Sequence, residues 1–253
     1  MSDKHSSSPN LIFGYHPIRE ALLGEKNRVE KIFVSQGRHD SRFGEILDLA
    51  RSRGIPVTRF ASPLFQKIFQ TKGVQSFVAQ VSTITFVDPD ELLQRESGLF
   101  LVIDEIIDPR NMGSIFRSAA AVGVDGIFIP FRHSAPISAT VEKTSAGAIN
   151  LVRTARVGNL VNLAKELNER SIQTVALVPG VALSYLDADY TLPTAFIVGG
   201  EEKGVRRLLR ETCRTLVSIP MAGHLQSLNV SVATAIVLYE ALRQRRIAEM
   251  KHS

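Results

Sequence analysis

The chain is nearly without cysteine. Its single Cys213, beside Arg214, leaves a disulfide framework or a Cys-rich zinc site without partners. No cationic stretch followed by an apolar run opens the sequence, so secretion loses support and a reducing, cytoplasmic compartment is expected. Long apolar runs are missing as well. A membrane span needs roughly 18 to 20 uninterrupted apolar residues, and even Val230 to Leu242 is cut by Ser231, Thr234 and Glu240. A soluble protein with no membrane partner is therefore expected. The glycine fingerprint GxGxxG and the acidic residue that follows it are absent, which disfavours a nucleotide-dependent dehydrogenase. His16, His133 and His224 lack metal-ligand spacing, so no metal is expected.

Apolar material is plentiful: 44% of the 253 residues are hydrophobic and 22% are charged, enough for one large or two modest globular domains. Basic residues exceed acidic ones by 30 to 25, which admits a polyanionic partner without requiring one. Residues 1–97 carry 13 basic against 11 acidic groups and residues 98–253 carry 17 against 14, so neither half is a nucleic-acid-binding tail.

The Ser-rich opening, residues 1–10, has no apolar periodicity and is expected to be a disordered tail. Residues 11–85 then alternate between strand and helix patterns. Strands are predicted at Val29 to Ser35, Ile55 to Phe60 and Ser76 to Ser82, and helices at Phe43 to Ser52 and Pro63 to Phe69. This describes a small α/β domain. The charged stretch FVDPDELLQRES, residues 86–97, contains Pro89 and is the expected linker. In residues 98–253 apolar strands without alternation recur at 98–103, 125–130, 173–178, 194–199 and 215–220. Helical patterns lie at 114–122, 160–171, 205–211 and from Val230 to about Met250. Such strands indicate a mostly parallel sheet covered on both faces, with ligands expected at the loops after Ile103, Val198 and Ile219.

In the first of these loops, IDPRNMGSIFRSA, Asn111 stands before the predicted helix, where it can equally be a cap. Gly113 marks a close backbone approach or unusual dihedrals. Arg117, set among Ser114, Ser118, Ala120 and Ala121, offers five fixed donors to an anion, unless it is an ordinary surface arginine. The second loop, IVGGEEKGVRR, surrounds Glu201 and Glu202 with glycines; its carboxylates would repel phosphate and suit ribose hydroxyls or a cationic ligand. The third, IPMAGHLQSLNVSVA, brings Ser227 and Asn229 to a helix start, where either can be an N-cap. Three such loops at three strand ends of one sheet suggest one pocket.

These residues resemble the SpoU-type (TrmH-like) branch of the knotted SPOUT RNA methyltransferases. DEIIDPRNMGSIFRSA is similar to the family's first motif, FIVGGEEKGV to its second and IPMAGHLQSLNVSVATAIVLYEA to its third, in the same order. Upstream, IFGYHPIREALLGEKNRVEKIFVSQGR resembles the start of the family's small RNA-binding domain, which is similar to a ribosomal-protein fold. HSAPISATVEKTSAGAINLVRTARVGNL resembles the bacterial subgroup that methylates a guanosine ribose of large-subunit ribosomal RNA.

The resemblance implies an AdoMet-dependent RNA (ribose-2′-O)-methyltransferase: an α/β protein whose residues 98–253 form a parallel-sheet catalytic domain with a C-terminal trefoil knot. Its cofactor would be S-adenosylmethionine (AdoMet), held by Gly199, Ile219 and Leu228. Asn111, Arg117, Glu201, Ser227 and Asn229 would form the catalytic neighbourhood. Its partner would be RNA, 23S ribosomal RNA first and transfer RNA as the alternative, and a homodimer through the last helix is expected. Loss of catalysis in an RNA-binding assembly factor is a further alternative. Arg243, Arg245 and Arg246 would extend a basic surface or be solvated helix-end charges. One departure is Glu202, where the family commonly has glycine.

Overall fold

The computed structural model describes residues 10–23, 27–36, 41–70, 76–94, 98–201, 203–223 and 225–252. Nearly all of the tail expected over residues 1–10, together with Glu202 and His224, lies outside them. The chain forms two compact units, one holding residues up to Phe86 together with Pro136–Thr140, the other holding Val87–Ala135 and Val141 onward.

The first unit runs β1 (Leu11–Phe13), α1 (Tyr15–Leu23), β2 (Asn27–Ser35), α2 (Ser41–Ser52), β3 (Val57–Phe60), α3 (Ser62–Phe69) and β4 (Phe77–Phe86). Its four-stranded sheet has the order β1-β4-β2-β3, antiparallel except between β2 and β3. Ile32, Val34, Phe77 and Ala79, register neighbours across β2 and β4, are buried with Ile18 and Leu22 of α1 and Ile46 of α2. The alternation in β2 gives the sheet one such apolar face. Glu30 is buried there too, and its carboxylate accepts from Gln80 Nε2 at 2.7 Å and from the Ile137 amide at 2.9 Å.

The second unit opens with α4 (Pro89–Leu92) and continues β5 (Leu99–Asp104), α5 (Pro109–Val122), β6 (Gly126–Pro130), α6 (Ala139–Thr144) and β7 (Thr154–Val157). It ends with α7 (Leu160–Glu169), β8 (Gln173–Leu177), β9 (Thr194–Gly199), α8 (Arg207–Thr212), β10 (Thr215–Val217) and α9 (Val230–His252). The six strands are all parallel in the order β10-β8-β9-β5-β6-β7, as the unbroken apolar runs predict. Strands β5, β6 and β9 are buried along their whole length. Among the described residues no helix is long and apolar enough to cross a membrane.

Several elements differ from expectation for identifiable reasons. Residues 86–97 hold α4, and Leu92 and Leu93 are buried in the core of this unit. Helix α5 starts five residues earlier than the periodicity suggests. The Asp108 side chain caps it by accepting from the Arg110 amide at 2.8 Å, and Pro109 supplies a preset first turn. Asn111 thus sits inside the helix rather than before it. Gly113 has no unusual dihedral; it marks a close approach, since a Cβ there would lie 2.6 Å from Thr144 Cβ. Strand β7 escapes the apolar pattern because it carries Arg156, whose stem is buried while Nη1 donates to the Pro130 carbonyl at 3.1 Å.

Candidate active site

Strand order reverses between β5 and β9: from β5 the chain travels outward to β6 and β7, whereas β8 and β10 lie beyond β9. Such a reversal leaves a crevice at the carboxyl ends of the strands. A cleft of about 570 Å³ lies on this side, at the ends of β8, β9 and β10. Gly199, Glu201, Ile219, Ser227, Leu228 and Asn229 line it, six of the eight site residues expected from the sequence. Asn111 and Arg117 do not.

Asn111 is nevertheless tied to the cleft by hydrogen bonds. Its Nδ2 donates to Glu201 Oε1 at 2.6 Å, and its Oδ1 accepts from Asn229 Nδ2 at 3.0 Å. Asn229 is the N-cap of α9: its Oδ1 accepts from the Ser231 amide at 2.9 Å and from Ser231 Oγ at 2.6 Å. The cap fixes which way this amide points, leaving its NH2 for Asn111. Asn111 is oriented in turn, with its own NH2 facing the carboxylate. Glu201 and Asn229 are exposed, so the chain of groups faces solvent.

Sequence reasoning offers capping and catalysis as alternatives for Asn229; its oxygen caps α9 while its NH2 bonds Asn111. Ser227 has no cap role, because it precedes the N-cap and lines the cleft. Arg117 lies six residues beyond Asn111 on α5 and is exposed rather than desolvated among small side chains. No group pairs with Arg117 among the described residues.

Two glycines of the second loop are explained by close approach, and Gly204 by its φ of +61°. A Cβ on Gly199 would lie 1.9 Å from the Gly204 carbonyl carbon, and one on Gly200 would lie 2.7 Å from the Glu105 carbonyl oxygen. Sequence reasoning missed a fourth contributor, the turn after β8, where Val178, Pro179 and Gly180 line the cleft. The Pro-Gly pair after an apolar strand was the available signal. Lys203 and Arg210 were missed as well; they contribute positive charge to the lining.

Elsewhere, two of the three arginines expected to form a basic surface or solvated helix-end charges on α9 have partners, while Arg246 is exposed. Arg243 Nη2 pairs with Glu240 at 2.7 Å, and Arg245 donates to the carbonyls of Tyr190 and Leu192, both at 2.9 Å. Burial pushes the Cys213 thiol up to about 12 and its Sγ faces the Leu209 carbonyl at 3.1 Å, a structural setting rather than a reactive one.

The cleft suits AdoMet. Its volume lies within the roughly 300 to 1,000 Å³ of small-molecule sites. Apolar side chains such as Val178, Ile219 and Leu228 can cover an adenine, and the backbone of Gly199 and Gly200 also lines the cleft.

Comparisons with known proteins bear on both units. Residues 98–239 match the SpoU rRNA Methylase family, and residues 11–87 match the RNA 2′-O ribose methyltransferase substrate binding family. The 23S rRNA (guanosine-2′-O-)-methyltransferase RlmB of Vibrio parahaemolyticus is 37% identical over 246 residues, covering 96% of this chain and 100% of the relative. RlmB of Shewanella oneidensis is 37% identical over 241 residues, 94% of this chain and 98% of its own. Among solved structures, the SpoU methyltransferase AviRb from Streptomyces viridochromogenes in complex with AdoMet superposes with a TM-score of 0.60 at 28% identity. That match covers 93% of this chain and 90% of AviRb. The A. aeolicus TrmH/SpoU tRNA modifying enzyme gives 0.57 at 33% identity, covering 64% of this chain and 85% of its own. With the family's model matched over more than half its length and relatives aligned from end to end, the chain belongs to the SpoU rRNA methylase family.

Proposed function

We propose that the protein is an AdoMet-dependent methyltransferase acting on a guanosine ribose 2′-hydroxyl of 23S ribosomal RNA. The observation that carries the reading is the hydrogen-bonded run Asn229–Asn111–Glu201 at the edge of a cleft suited to AdoMet. End-to-end similarity to RlmB supports the ribosomal substrate. A transfer-RNA substrate has less support, because the tRNA modifying enzyme aligns with only 64% of the chain. A ribosomal substrate supports a cytoplasmic setting.

AdoMet supplies an electrophilic methyl carbon when bound. Gly199, Ile219 and Leu228 would hold it, largely through backbone groups. A ribose hydroxyl is a poor nucleophile, so the protein must align it and stabilise the charge that develops on its oxygen. Arg117 cannot serve as a base, since its guanidinium stays protonated. As an exposed cation with no partner among the described residues it can clamp an RNA phosphate beside the reacting ribose. The Asn111 amide, aimed by Asn229, orients Glu201, and Ser227 completes the polar rim. The first unit would serve as the RNA-recognition domain, an assignment supported by its match to the substrate-binding family.

A trefoil knot and a homodimer complete the reading. Beyond its pairing with β8, the β10 chain meets residues 181–185 on its other side. Ser218 bridges Ser184, its amide donates to the Leu183 carbonyl at 2.9 Å, and its Oγ donates to the Val181 carbonyl at 2.8 Å. The connection from β8 therefore rounds the end of β10, which supports a chain threaded through a loop. Val232 and Tyr239 lie exposed seven residues apart on α9, apolar surface that a second copy would cover.

Incubating the purified protein and labelled AdoMet with unmodified 23S rRNA and unmodified tRNA tests the reading. Label is expected in 23S rRNA, on a guanosine ribose. Label in tRNA alone would overturn the ribosomal substrate, and absence of AdoMet binding would overturn the enzyme.

A further inference from the structure

The loop after β9 closes on itself before α8 begins. The Gly204 amide donates to the Gly200 carbonyl at 2.9 Å, the two residues pair as an antiparallel bridge, and Gly204 takes φ of +61°. These internal bonds fix the shape of the loop, but not its position over the cleft. Position comes from Asp104, the last residue of β5 and the register partner of Gly199.

Asp104 is 0% exposed and does not line the cleft. Its Oδ2 accepts from the Arg206 amide at 3.0 Å and its Oδ1 from Arg206 Nε at 2.8 Å, with Nη2 also 2.8 Å from Oδ1. Arg206 Nη1 lies 3.6 Å from Glu105 Oε1. Glu105 itself holds φ of +55°, a conformation a non-glycine residue seldom adopts. Its carbonyl oxygen lies 2.7 Å from where a Cβ on Gly200 would be. The strand leading toward Asn111 and the loop carrying Glu201 are thus joined through one buried carboxylate. A guanidinium fork makes that joint directional, which an ammonium could not. Buried ion pairs often add little stability beyond what apolar packing would give. The contribution of this one is better sought in the geometry it imposes.

We propose that Asp104 and Arg206 are positioning residues for the cofactor. The pair sets the β9 loop against β5, holding the Gly199–Gly200 backbone toward the cleft and Glu201 within reach of Asn111. This rests on the AdoMet reading above, which binding to the wild-type chain checks independently.

Two full-length variants test it. Arg206→Lys keeps the charge but loses the fork, and the double variant Asp104→Asn/Arg206→Met removes both charges without stranding a buried carboxylate. AdoMet affinity is measured by calorimetry without RNA, RNA affinity by filter binding without AdoMet, and kcat on unmodified 23S rRNA. Both variants should keep the wild-type far-UV spectrum. AdoMet Kd should rise about 10- to 100-fold, as when groups supporting a site are removed, and kcat should fall. RNA affinity should be unchanged. Wild-type AdoMet affinity and kcat in folded variants would overturn the proposal, as would equal losses toward AdoMet and RNA. Should the double variant fail to fold, Arg206→Lys decides by the same criteria; unfolding of both would mark the pair as purely structural and also overturn it. A wild-type chain that does not bind AdoMet would reject the cofactor reading, and the positioning role with it.

Discussion

Asn229 donates its side-chain NH2 to Asn111 Oδ1 at 3.0 Å, joining two residues 118 positions apart. The same Asn229 caps α9 through its oxygen, so the helix start dictates the polarity of the amides leading to Glu201. The two roles can be separated. Asn229→Asp keeps an oxygen for the cap but replaces the donor with an acceptor facing the Asn111 oxygen. Melting temperature should stay near wild type while kcat falls by about 10²-fold, the scale for losing one preorganised donor. Asn229→Ala should lose activity and also about 1 kcal/mol of stability with the cap. Thermal melts beside single-turnover rates check both.

Arg117 is exposed and, among the described residues, has no internal partner. Arg117→Ala should therefore leave the unfolding free energy within about 0.5 kcal/mol of wild type. AdoMet affinity should also be retained. Methyl transfer should fall by about 10² to 10³, or roughly 2.7 to 4 kcal/mol in the transition state. Calorimetry and labelled-methyl assays measure the two quantities; an active mutant would remove Arg117 from the mechanism.

Gly199→Ala places a methyl group 1.9 Å from the Gly204 carbonyl carbon and 2.0 Å from the Val205 nitrogen. Both are backbone atoms, so no side chain can swing aside. The β9 loop must move, and AdoMet binding is expected to be lost in calorimetry. Gly123→Ala is the comparison: its φ of +80° makes it strained too, yet it caps α5 away from the cleft, so stability should drop while AdoMet affinity is kept.

Burial, the dominant influence on Cys213, raises its thiol to about 12. Thiolate is therefore scarce at neutral pH. Native protein should react with a thiol-specific disulfide reagent at pH 8 far more slowly than protein unfolded in guanidinium, as followed by absorbance. Because the folded value is raised, the neutral thiol favours the folded state. That contribution is fully present below the unfolded value, near 8.5, and is lost as pH rises from there toward the folded value of about 12; thiol-dependent stability should shrink, not grow, across that window.

The elements read most accurately from the sequence were those whose burial is uniform. The runs at 98–103 and 194–199 have apolar residues on both sides of the strand, and a strand covered on both faces is what they form. The elements misplaced were those decided by one local contact. The start of α5 depends on the Asp108 side chain accepting a single amide, and β7 depends on a buried arginine stem reaching a carbonyl of the neighbouring strand. The cleft residues drawn from motifs lie together, but the turn at Pro179 and Gly180 carries no reactive side chain and gave little reason to include it.

By itself the sequence determined the parallel sheet, the family and the set of polar residues from which a site is built, because apolar periodicity and motif order are properties of a linear chain. Tertiary structure alone decided that Asn111 bonds Glu201, that Arg245 binds carbonyls, and that a buried Asp104 accepts from Arg206. Each of these depends on groups brought within about 3 Å from distant segments, and hydrogen bonds weaken steeply beyond that separation. Sequence spacing carries no record of such distances.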